Sequence, residues 1–104
     1  MLTVVETPIF SKLATDYWTE DERAAFASYI AANSDAGVVV SGSGGVRKVR
    51  WSRQGGGKSG GVRVVYFNKL AKGEVWLLLI YAKNVSDNIP AHVLREIREE
   101  IEND

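Results

Sequence analysis

The residues that could do chemistry in this chain are its cations. Arg47, Lys48, Arg50, Arg53, Lys58 and Arg63 crowd into positions 47–63, with Lys69 and Lys72 close behind. No acid occurs between Asp35 and Glu74, so that third of the chain holds eight of the 13 basic residues and none of the 13 acidic ones. The formal net charge is zero. Charges more than about 10 Å apart are largely screened at physiological salt, so this local asymmetry matters more than the sum. It describes an anion-binding face, and the pattern points to RNA as the anion.

Cleavage of RNA by its own 2′-hydroxyl needs in-line geometry, proton transfer at both oxygens, and neutralisation of a phosphorane that gains negative charge. Fixed cations can supply the last of these. Arg63 is the candidate for that role, since a planar guanidinium fork matches two phosphate oxygens. Lys48, crowded by Arg50 and Arg63, would lose basicity and so suits proton transfer. Arg50 would hold the RNA backbone within this catalytic set, while Arg47, Arg53, Lys58 and Lys83 would bind RNA around it. Tyr66 or Tyr81 could stack a base or belong to the core. From the residues alone, the same cations also fit a solvated sheet surface or an RNA-binding face without catalysis.

Other chemistries are poorly served. With no cysteine and one histidine, disulfides, thiolate metal sites and a His-rich cluster are excluded, and neither a metal nor a cofactor is expected. His92 reads as a surface residue. Gly57-Lys58-Ser59 suggests a phosphate loop, but that motif needs a glycine where Ser52 stands and a helix where Val62–Phe67 reads as a strand.

The elements that must position these residues follow from periodicity and caps. Leu2–Val5 predicts a first strand. Thr7 and Pro8 open a helix whose apolar face is Ile9, Phe10, Leu13, Ala14, Tyr17 and Trp18. Thr19 and Glu22 form a capping box for a second helix, with Phe26, Tyr29, Ile30 and Asn33 on one face. Asn33–Gly45 reads as a flexible connector. Strands are expected over 46–53, 62–68 and 74–82, with a glycine-rich tip at 54–61. Val49 and Trp51 alternate with Lys48 and Arg50, so the apolar pair faces the helices and the cations face away. Val75–Tyr81 is apolar throughout, as in an interior strand. A last helix begins after Asn88-Ile89-Pro90, with Val93, Leu94, Ile97 and Ile101 as its stripe. One domain over 1–104 is expected, of α+β class: an N-terminal strand and helical hairpin packed on a small, mainly antiparallel sheet, then a C-terminal helix. MLTVVETPIF lacks the features of a signal peptide, and no apolar run approaches the ~20 residues of a membrane span. A cytoplasmic location is expected.

This order, and in particular GGVRKVRWSRQGGGKSGGVRVVYF followed by VWLLLIYAKN, resembles the RelE/ParE superfamily of bacterial toxins, most closely its HigB-like branch. The resemblance covers nearly the whole chain. It implies the toxin of a type II toxin–antitoxin pair, a metal-independent, ribosome-dependent endoribonuclease that cleaves translated mRNA in the A site. Carried over by position, Lys48 and Arg50 match two basic positions on one strand. Arg63 matches an arginine that contacts the scissile phosphate, and Lys83 matches a lysine after the last strand. Asn84 and Pro90 stand where RelE has an arginine and a tyrosine, so the resemblance assigns no general base or acid. It further implies an antitoxin partner with a helix-turn-helix DNA-binding domain, alongside the ribosome and mRNA, and no membrane. ParE-like relatives share the fold and poison DNA gyrase, which leaves that activity as an alternative beside a non-catalytic RNA-binding domain.

Overall fold

The computed structural model describes residues 1–52, 61–82 and 89–103. In chain order the elements are β1 (Thr3–Glu6), α1 (Pro8–Tyr17), α2 (Glu20–Ala32), β2 (Val38–Val39), β3 (Arg47–Trp51), β4 (Val62–Lys69), a 3-10 turn (Leu70–Lys72), β5 (Glu74–Ala82) and α3 (Ala91–Glu102). The strands form one sheet ordered β1-β5-β4-β3-β2. β1 runs parallel to β5, and the other pairings are antiparallel. The expected α+β arrangement is present, with the hairpin of α1 and α2 on one face of the sheet and α3 on the other.

Both N-terminal helices start where their caps predict. Thr7 Oγ1 accepts from the Phe10 amide at 3.1 Å and donates to the Leu78 carbonyl at 3.2 Å, so one hydroxyl caps α1 and ties it to β5. At α2, Thr19 Oγ1 accepts from the Glu22 amide at 3.2 Å, and Glu22 Oε1 accepts from the Thr19 amide at 2.8 Å. This satisfies two donors that a helix start otherwise leaves open.

Two cores hold the layers together. On the hairpin side, Phe10, Ala14, Trp18, Phe26 and Ile30 meet Val49, Val62, Val64, Tyr66, Val75, Leu77 and Ile80. On the α3 side, Leu94 and Ile101 meet Val46, Val65, Phe67, Leu78 and Tyr81. β4 alternates strictly between them. β5 does not: Tyr66 pairs with Leu77 and Val65 with Leu79, so Leu78 is an extra residue, a bulge. Leu78 and Leu79 both pack on the α3 side, and Ile80 then returns to the hairpin side.

The segment after α2 differs from the flexible connector its composition suggests. Val38–Val39 form a fifth, edge strand on β3. Ser43 is fully buried; its Oγ accepts from the Val46 amide at 3.0 Å and donates to the Val40 carbonyl at 2.7 Å. Asn33 sits past the helical face as the C-cap of α2. Lys69 also departs from the solvated cation its position suggests. It is buried, donates from Nζ to the Ile101 carbonyl at 2.6 Å, and lies 5.7 Å from the Trp76 ring centroid, anchoring the C-terminal end of α3.

Candidate anion-binding site

Strand alternation decides which cations share a face. Val49 and Trp51 point toward the helical hairpin, where Trp51 packs between Phe26 and Tyr29 with centroids 5.2 and 4.9 Å away. Lys48 and Arg50 therefore lie on the α3 side of β3. On β4, Val62 and Val64 belong to the hairpin core, which puts Arg63 on the same side as Lys48 and Arg50. The register then sets their spacing. Arg50 pairs directly with Arg63, Lys48 pairs with Val65, and Arg63 pairs with Tyr81 on β5. Directly opposed residues on an antiparallel pair have Cβ atoms about 4.5–5.5 Å apart, and the diagonal neighbours are within reach of long side chains. Arg50, Arg63 and Tyr81 thus form one row across three strands, with Lys48 one diagonal step from Arg63.

Burial grades this row from open to closed. Arg50 is exposed, Lys48 and Arg63 are half-buried, and Tyr81 is buried. Arg63 Nη1 is covered and has no hydrogen-bond partner. A covered guanidinium N–H without an acceptor is a donor that has lost solvation without compensation. A doubly cationic row floored by Val65 and Tyr81 can bind a phosphate group and neutralise charge that grows on it.

Other candidates lie elsewhere. Arg47 shares the parity of Val49 and Trp51, so it is on the opposite side of the sheet from Lys48. Its Nη1 donates to the carbonyls of Gly37 at 2.7 Å and Asp35 at 3.3 Å, fastening the segment after α2 to β3. Arg53, Lys58, Lys83, Asn84 and most of the glycine-rich tip lie outside the described residues. Neither tyrosine suggested for base stacking is on the surface. Tyr66 is fully buried in the hairpin core, its Oη donating to Ser34 O at 2.7 Å and accepting from Gly37 N at 2.8 Å. Burial is the main reason its phenol is pushed above its ordinary value. Tyr81 belongs to the α3-side core. His92 is exposed on α3.

A polar network was not evident from sequence. Arg47, Tyr66 and Asn68 converge on the backbone of residues 34–37, with Asn68 Nδ2 donating to Ser34 O at 2.9 Å. It holds the β2–β3 edge, and so the strand bearing Lys48 and Arg50, against the rest of the sheet. The parity of Arg47 with Val49 and Trp51 was the available signal.

Compared with models of known protein families, the chain matches none. Among the described residues, no helix is long and apolar enough to cross a membrane.

Proposed function

We propose that this protein is the toxin of a type II toxin–antitoxin module, a ribosome-dependent endoribonuclease of the HigB-like branch of the RelE/ParE superfamily. One observation carries the reading: Arg50 and Arg63 oppose each other across β3 and β4, with Lys48 one diagonal away on the same face. Two guanidiniums side by side on one face can present their planar forks to the oxygens of one anion. The sequence resemblance supplies the anion, the phosphodiester of an mRNA in the decoding site.

In this mechanism Arg63 binds the non-bridging oxygens of the scissile phosphate through its planar fork and stabilises the phosphorane. Arg50 holds the adjoining backbone. Lys48 serves proton transfer beside them. The 2′-oxygen attacks phosphorus as the bond to the 5′-oxygen breaks, leaving a 2′,3′-cyclic phosphate and a 5′-hydroxyl. The ribosome holds the mRNA in line, a task for which the described part of the basic face offers no exposed aromatic ring.

The partner follows from the same charge pattern. An antitoxin that covers the face would bring acids to Lys48, Arg50 or Arg63, and in this branch would carry a helix-turn-helix domain. Purified protein incubated with ribosomes stalled on a defined mRNA tests the activity. Cleavage within the A-site codon is expected with ribosomes and absent without them. Intact mRNA in both reactions contradicts the reading.

A further inference from the structure

We infer that α3 is a releasable strap: it leaves the sheet as a unit at a free energy well below global unfolding, and the charge of Lys69 holds it down. The inference goes beyond the proposed function and does not depend on it.

The sequence of α3 makes a poor helix on its own. Its 12 residues, Ala91–Glu102, are marginal for a helix in isolation. A helix is positive at its N-terminal end and negative at its C-terminal end. The first turn of α3 has no acid, while the last turn has Glu99, Glu100 and Glu102 and no base. Those charges oppose the dipole. No side chain caps the start at Pro90. The Arg98–Glu102 ion pair sets the cation N-terminal to the acid, the weaker order for i,i+4 partners. The helix therefore depends on what it docks against.

That docking is light. Leu94 and Ile101 are the residues of α3 buried in the core beneath it. Among the described residues, the hydrogen bond that joins α3 to the sheet runs from Lys69 Nζ to the Ile101 carbonyl, at 2.6 Å. This buried ammonium on β4 supplies, from the sheet, the cation that the last turn lacks. The hairpin on the opposite face is tied more heavily. The Thr7 hydroxyl and amide donate to the Leu78 and Leu77 carbonyls at 3.2 and 3.1 Å, and Arg23 reaches Glu6 on β1.

Release of α3 would alter the basic row. Val65 and Tyr81, the cross-strand partners of Lys48 and Arg63, belong to the core that α3 covers. Docked, the helix fixes the floor of that row. Released, it opens Val46, Val65, Phe67 and Leu78 to solvent beside it.

Native-state hydrogen exchange on the whole protein, read amide by amide, tests this. The amides of α3 are expected to be at least about a hundredfold less protected than the best-protected amides of β4 and β5. Lys69→Met keeps the length of the side chain and removes its charge and its hydrogen bond. It should lower α3 protection by about tenfold to a hundredfold. Glu100→Gln, an exposed change, removes one charge of the wrong sign and should raise α3 protection about twofold to fivefold. Arg23→Gln breaks a tie that survives when α3 opens, so it should lower protection in β4 and β5 and leave α3 unchanged. If α3 is as protected as β4 and β5 and falls with them in Arg23→Gln, it is not a separate unit. Unchanged α3 protection in Lys69→Met, or no gain in Glu100→Gln, overturns the electrostatic hold. Exchange is read on the protein alone, so cleavage of mRNA or its absence bears only on the proposed function.

Discussion

Gly37 and Tyr66 meet so closely that neither has room to change. The Gly37 amide donates to Tyr66 Oη at 2.8 Å, and a Cβ built on Gly37 would lie 2.8 Å from both Oη and the ring. The Lys48 carbonyl would stand 3.0 Å away on the other side. Gly37→Ala must therefore push the edge off β3 or the phenol out of its core. A loss of about 1–3 kcal/mol is expected, as for overpacking elsewhere, read from chemical denaturation.

Tyr66 itself confers a pH dependence. Burial raises its ionisation above the ordinary value of 10.0, so the folded state holds the phenolic proton after the unfolded chain has lost it. Its contribution is complete below about pH 10 and is lost as pH rises through the folded value. Wild type is expected to lose stability at alkaline pH more steeply than Tyr66→Phe. Equal slopes would show that the phenol is not the titrating group.

Glu6 gives the opposite dependence. Its carboxylate takes a 2.9 Å hydrogen bond from Arg23 Nε, a second from Arg23 Nη2, and one from Ser11 Oγ at 2.8 Å. Hydrogen bonding from Arg23 chiefly holds its pKa below the ordinary value of 4.5. The stabilisation is present above that value and is lost as pH falls through the folded one. Glu6→Gln is expected to cost about 1–2 kcal/mol at pH 7, and the difference from wild type should shrink toward pH 3. A penalty that is constant with pH would assign the effect to packing.

Arg47 and Arg50 separate by function although three positions apart. Arg47→Ala removes two hydrogen bonds to the backbone of residues 35–37 and should lower stability by about 1–3 kcal/mol. It should leave the salt dependence of RNA binding unchanged. Arg50→Ala should reduce the slope of log K against log salt by about 0.7 on single-stranded RNA. Fluorescence anisotropy across a salt series distinguishes them, and the reverse pattern would place Arg47 on the binding face.

Much of this was legible in local sequence because it depends on local physics. Thr7-Pro8 and Thr19…Glu22 set both helix starts through backbone donors within a turn. Alternation along 48–51 and 62–66 placed Lys48, Arg50 and Arg63 on one side of the sheet. The rest depends on distant partners. Val38–Val39 is too short to read as a strand, and the residues just before it are held by Arg47 and Tyr66 from β3 and β4. The bulge at Leu78 lies in an unbroken apolar run, where periodicity carries no signal. Yet that bulge sets the register that brings Tyr81 opposite Arg63. Lys69 looks like one more cation until α3 folds over it.

The central claim is that Arg63 acts on translated mRNA, and inducible expression in bacteria tests it most directly. Wild type and Arg63→Ala would be expressed without an antitoxin and mRNA 5′ ends mapped across the transcriptome. New 5′ ends within translated codons, growth arrest, and loss of both in Arg63→Ala are predicted. Arrest with intact mRNA and a DNA-damage response would indicate gyrase as the target. No arrest in wild type would contradict a toxin altogether.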